Sequence, residues 1–137
     1  MTAPAKLTKT ARQALFDRHA GQCPWCGFGM RFEDMHAHHR LLRSHGGTWA
    51  LSNIVGVHRD CHTVLSKSIH QSPLRAYSLG FMVRTRMVAP SEIPLFDLST
   101  GAHYLLDDNG KRYGLLYAEA MELLTAAGAM TGRLEVT

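Results

Sequence analysis

Residues 35–47, MHAHHRLLRSHGG, place four of the chain's nine histidines within thirteen positions and close on a glycine pair. Together with its flank, as MRFEDMHAHHRLL, the stretch has β character, and successive strand residues face opposite ways. His36 and His38 therefore share a face, and His39 takes the other. Imidazoles so closely spaced are costly in a strand that only packs, and they suit metal binding or proton transfer near neutral pH. Downstream, SHGGTWALS is a loop punctuated by Gly46 and Gly47. NIVGVH is a second short strand, and DCHTVLSKSIHQ reads as a helix ended by the QSP that overlaps it.

The sequence around this centre carries a second set of metal-binding residue types. Cys23 and Cys26 form a Cys-x-x-Cys knuckle, and His58 and Cys61 form a His-x-x-Cys pair in HRDC. Two matched two-residue gaps give a Cys3His set, each pair wrapping one edge of a tetrahedron, which suits zinc. Three cysteines is an odd count that argues against a disulfide framework. A thioredoxin-like redox motif is the alternative, but such motifs open a helix after a central strand, and no βαβ pattern surrounds CPWCG. With four protein ligands and no open position, the zinc would be structural, and a small domain gains much from such a clip.

Toward the N-terminus, LTKTARQALFDRHAG reads as a helix capped by Thr8 or Thr10 and closed by Gly21. Toward the C-terminus, SPLRAYSLG is a short helix with Ser72 as N-cap, Pro73 in its first turn and Gly80 as stop. FMVRTRMV and IPLFDLS read as strands, AHYLLDDNGKRYGLL as a hairpin turning at Asn109-Gly110, and YAEAMELLTAAGAM as a closing helix.

A hydrophobic fraction of 45% and a charged fraction of 19% are ordinary for a globular chain of 137 residues. No apolar run reaches the roughly 18 residues of a membrane span, and the N-terminal stretch lacks the pattern of a signal peptide. A soluble, cytoplasmic protein is expected. The charge is uneven: residues 1–86 carry twelve Lys/Arg against four acids, a net of +8, and residues 87–137 carry three against seven, a net of −4. Either a polyanion partner for the basic part or an ordinary solvated surface accounts for that.

The order CPWC, AHHR, GG, LSN, HRDCH resembles the HNH nuclease family and its ββα-metal fold, over residues 21–71. The resemblance implies an α+β protein in three parts. A helix in residues 1–20 packs on an HNH core at 21–71, and a helix, β-hairpin and closing helix follow at 72–137. It implies a DNA endonuclease with His39 as general base, His38 and His62 as ligands of a catalytic divalent metal, and Asn53 orienting the base and tying the loop. His38 stands where many members carry Asp, which favours Ni²⁺, Zn²⁺ or Mn²⁺ over Mg²⁺. The toxin branch of the family has a further histidine four residues after the helix histidine, where this chain has Ser66. His70 lies eight residues beyond His62, about 12 Å along a helix, so the ligand set is expected to hold two histidines.

Arg40 and Arg43 flank the base and are expected to clamp DNA phosphates, with Lys67 and Arg75 on a solvated face. His36 is expected at the surface, within possible reach of the metal, and His45 exposed in the glycine loop. His19 and His103 read as surface residues, Trp25 and Trp49 as packing. The stretch from Ser72 to Pro94 is similar to the tails of small bacteriophage HNH proteins, some associated with the DNA-packaging terminase. A phage setting, a bacterial host cytoplasm and a terminase partner follow from it; a monomer, with one site, would nick, and a homodimer could cut both strands. The other readings are a zinc-clipped DNA-binding or packaging accessory module, and a structural zinc protein without a nucleic-acid role.

Overall fold

The computed structural model describes residues 5–130, so the outermost ends of the first and last expected segments lie outside it. Helix α1 spans Lys9–Arg18, and of the two possible caps Thr8 is used: its Oγ1 accepts the Ala11 N–H at 3.0 Å. Leu15, Arg18 and His19, at the helical spacing i, i+3, i+4, are all buried. The Arg18 guanidinium donates to the carbonyls of Leu51 and Ile54, which docks α1 on the start of the second strand.

Strands β1 (Met35–His39) and β2 (Ile54–His58) pair antiparallel, with Met35 opposite His58 and His39 opposite Ile54. β2 is buried through Val57, as its run of apolar residues requires, whereas β1 exposes His36 and buries Met35 and His38. The expected helix after β2 is a single wide turn, Asp60–Val64, in which the Leu65 N–H reaches back to the Asp60 carbonyl. Beyond it the chain doubles back: the N–H groups of Ile69 and His70 donate to the carbonyls of Cys61 and His62. Ile69 and Ser68 are fully buried, so an inward-facing Ile69 is satisfied by a return of the chain and not by a helix.

Helix α2 spans Pro73–Ser78, and Gly80 follows with φ of +81°. FMVRTRMV forms no strand. Phe81, Met82 and Val83 are all buried, which breaks the alternation a strand needs, and the Val83 N–H donates to the Arg40 carbonyl. The C-terminal part is a three-stranded antiparallel sheet in the order β3 (Leu95–Asp97), β4 (Ala102–Leu106), β5 (Arg112–Leu115). The Asp107 carboxylate fixes the β4–β5 turn by accepting the N–H groups of Asn109 and Lys111. Helix α3 spans Tyr117–Ala126 and buries Ala120 and Leu124, and Glu119 takes the Leu116 N–H at its start.

One apolar cluster gathers Leu15, Ile54, Val57, Phe81, Leu95 and Leu106, so α1, the β1–β2 hairpin and the C-terminal sheet share a core. His19 and His103 are not surface residues. His19 is 1% exposed, and its Nδ1 lies 2.8 Å from Asp97 Oδ2, which also accepts from Arg112 at 2.8 Å. Burial lowers the His19 pKa below the usual histidine value. Burial pushes the Asp97 carboxyl up, but the hydrogen bonds from His19 and Ser99 prevail and hold it down at about 2. His103 packs between Phe96 and Tyr117.

Candidate metal centres and catalytic site

Cys23, Cys26, His58 and Cys61 converge with their donor atoms within 4.8 Å of one another. Cys23 and Cys26 sit in a turn closed by the Gly27 N–H donating to the Cys23 carbonyl, and His58 ends β2. His58 Nδ1 lies 3.3 Å from Cys26 Sγ and 3.9 Å from Cys61 Sγ, while its Nε2 sits 3.0 Å from the Gly29 carbonyl. A proton held on Nε2 by that carbonyl leaves the Nδ1 lone pair facing the thiols, the outer hydrogen bond usual for a ligating histidine. All three cysteines are free thiols. Burial raises the pKa of Cys23 and of Cys61, with the neighbouring thiols adding to it at Cys61. A dication that displaces those protons suits the set, and this cluster can hold a metal such as zinc.

The second cluster differs from the sequence expectation. His38, His62 and His70 bring one ring nitrogen each within 4.8 Å of one another. Ring centroids lie 5.1 Å apart for His38 and His62, 5.2 Å for His38 and His70 and 4.8 Å for His62 and His70. The expectation that helix rise removes His70 fails because the chain doubles back after residue 64 and lays His70 beside His62. His38 is fully buried; its Nε2–H donates to the Phe81 carbonyl and its Nδ1 has no partner. That orphaned nitrogen among imidazoles fits a cation. Burial, then the neighbouring imidazoles, holds His38 at about 3 and His62 at about 4. The rings are neutral at physiological pH, the form that binds metal. Exposed His36, on the His38 face, places its Nδ1 3.5 Å from Nδ1 of His62.

His39 ends β1 on the opposite face, with its ring centroid 4.2 Å from that of Trp49 and the two planes at 71°. Its Nε2 is buried without a partner, which leaves Nδ1 for solvent. Burial first, then the Arg43 charge, lowers its pKa below the ordinary histidine value. Asn53 does not touch this ring. Its Oδ1 accepts the Leu41 N–H, its Nδ2 donates to the carbonyls of Leu41 and Thr48, and its own carbonyl accepts the Arg40 N–H. The side chain thus ties the glycine loop to the end of β1. Gly46 (φ +95°) turns that loop, and a Cβ on Gly47 would fall 1.7 Å from the Leu41 carbonyl oxygen.

Arg40 is not placed to meet a phosphate. It is fully buried, and its five N–H groups donate to the carbonyls of Gly80, Ser52, Pro90, Ile93 and Pro94. Burial lowers its pKa to about 9, so the charge persists at neutral pH. Arg43 is exposed, its guanidinium 5.5 Å from the centre of the Trp49 ring. His45, Lys67 and Arg75 are exposed, and Ser66 is outside both clusters.

Among the described residues no helix is long and apolar enough to cross a membrane. No curated protein and no solved structure matches the chain. Residues 23–68 match the family model described as HNH endonuclease, a segment that holds the whole Cys3His set and two of the three clustered histidines.

Proposed function

From the match of residues 23–68 to the HNH endonuclease family model, we propose that this chain is a metal-dependent nuclease that hydrolyses phosphodiester bonds of DNA. The observation that carries the reading is the cluster of His38, His62 and His70 next to His39, whose ring faces the other side of the same strand end. The first three rings would hold the catalytic divalent cation. When bound, that cation supplies Lewis-acid polarisation of a phosphoryl oxygen and stabilises the leaving oxygen. His39, neutral because burial and Arg43 disfavour its charge, takes the proton of the attacking water at Nδ1, the nitrogen its surroundings leave open. Trp49 fixes the plane of that imidazole, and Asn53 positions the backbone that follows it. Arg43, exposed over Trp49, would meet the phosphate. Three imidazoles without a carboxylate favour Zn²⁺, Ni²⁺ or Mn²⁺ over Mg²⁺.

Cys23, Cys26, His58 and Cys61 hold a structural zinc, since four protein ligands leave no open position. A phage setting and a terminase partner rest on the likeness of residues 72–94 alone. The test is a supercoiled-plasmid nicking assay on metal-stripped protein re-supplied with Mg²⁺, Mn²⁺, Ni²⁺ or Zn²⁺, beside His39→Ala of verified zinc content. Relaxation restored by metal and lost in His39→Ala is the expected result. Protein that shifts DNA in a gel but never nicks it under any of these metals is a binding module instead.

A further inference from the structure

The arginines of the described chain sort by what they touch. Arg12, Arg18 and Arg40 donate to backbone carbonyls, and Arg31, Arg59 and Arg112 pair with carboxylates. Arg43, Arg75, Arg84 and Arg86 have no carboxylate partner among the described residues. Arg84 and Arg86 lie in the segment whose sequence suggests a strand, outside the matched residues 23–68. The Arg84 guanidinium sits 3.9 Å over the Tyr77 ring, which fixes its plane and leaves its N–H edge free. The Arg86 stem packs on Gly46, where an added Cβ would come within 3.1 Å of its Cδ.

Both side chains wall an open cleft of about 610 Å³ whose opposite wall is the turn carrying Ser44, His45 and Gly46. No acidic residue lines it, and the hydroxyls of Ser44 and Thr85 stand among the positive groups. A second hollow of about 310 Å³ shares Leu41, Gly46 and Arg86 with it and reaches Asn53. The cleft also joins the catalytic side: Arg43 opens the same turn and lies over Trp49, which packs on His39. Positive groups repeated along a channel match a chain of phosphates better than a single anion.

We infer that the cleft between residues 44–46 and 84–87 seats the DNA backbone beside the scissile phosphate, with Arg84 and Arg86 as its phosphate contacts. The inference rests on DNA being the substrate. The segment after the matched domain then supplies the grip, and the matched domain supplies the chemistry.

The experiment compares Arg84→Gln/Arg86→Gln with Lys9→Gln/Lys111→Gln, which removes the same charge from exposed positions outside the cleft. Binding of a fluorescent 20-base-pair duplex is followed by anisotropy from 50 to 200 mM salt in the His39→Ala background. Removing two phosphate-binding cations should flatten the slope of log K against log salt by about 1.8. The lysine pair should keep the parental slope, and Arg84→Lys/Arg86→Lys should restore most of it. Equal slopes for the glutamine variants of both pairs, each with unchanged circular dichroism, would overturn the inference. A steep slope in the His39→Ala background, together with wild-type protein that never nicks plasmid under any metal, removes the nuclease reading and leaves the cleft standing. One that nicks while the arginine pair proves dispensable for binding removes the cleft alone, and one that binds no DNA removes both.

Discussion

The two donor clusters span similar widths and are built in opposite ways. In the knuckle, both ligand pairs come from local two-residue gaps, and Cys23 and Cys61 are 0% and 5% exposed. In the imidazole cluster the ligands come from a strand, a turn and a returning loop, and they run from buried His38 through half-buried His62 to exposed His70. The knuckle ligands are buried or half-buried, and the imidazole cluster alone includes an exposed ligand. Their protons differ as well. Burial keeps the Cys23 and Cys61 thiols protonated, so they must release protons to a metal, whereas His38 and His62 are neutral already. On the proposed reading, the contrast separates a site that would hold the fold from one that would turn over a substrate.

The largest effect should come from the knuckle. Cys61→Ser is expected to abolish the cooperative folded state, because a structural zinc contributes on the order of 10 kcal/mol to a domain of this kind. Circular dichroism alongside metal analysis reads it, and a folded, zinc-free variant would break the contrast. His62→Ala comes next: it should keep the fold, lose one of two bound metals and cost roughly a hundredfold in plasmid nicking. Unfolding in that variant would make both clusters structural. His70→Ala should weaken the second metal by roughly tenfold and leave the first in place, measured by competition with a chromophoric chelator. Unchanged affinity would mean that the exposed ring is a bystander.

The smallest effect is that of pH on stability. His19, His38 and His62 all have folded pKa values below the ordinary 6.5, so the folded state favours their neutral forms. Their contribution is complete above about pH 6.5 and is lost as pH falls through that value toward their folded ones. Asp97, held down at about 2, adds a further loss below about pH 4. The thermal midpoint of the protein with its imidazole cluster free of metal should therefore fall steadily between about pH 6.5 and 4. A flat profile there would contradict the buried neutral imidazoles.

Local spacing makes much of this legible. The N-terminal helix with Thr8 or Thr10 as cap, the two short strands, the hairpin and the two Cys/His pairs of the knuckle each follow from residues close in sequence, where physical rules are strongest. His70 does not, because a fold-back held by two backbone hydrogen bonds and a buried Ile69 leaves no periodic signature. The burial of His19 is readable in part from its place four residues after Leu15. Arg40 departs from expectation for a physical reason. The segment from Gly80 to Pro94 has little regular pairing, its carbonyls need donors, and a guanidinium offers five in one plane. That demand is created by the tertiary fold and is invisible along the chain.

The burial of Arg40 also says where this chain can be cut down. Excising residues 23–71 as a minimal enzyme would strip away the acceptors at Gly80, Pro90, Ile93 and Pro94 and strand a cation indoors, a loss of several kcal/mol. The boundary of the family match is thus a border of resemblance and not of folding. A transplant of the catalytic module into another scaffold must carry the downstream strap with it, or trade that arginine for a side chain that asks for nothing.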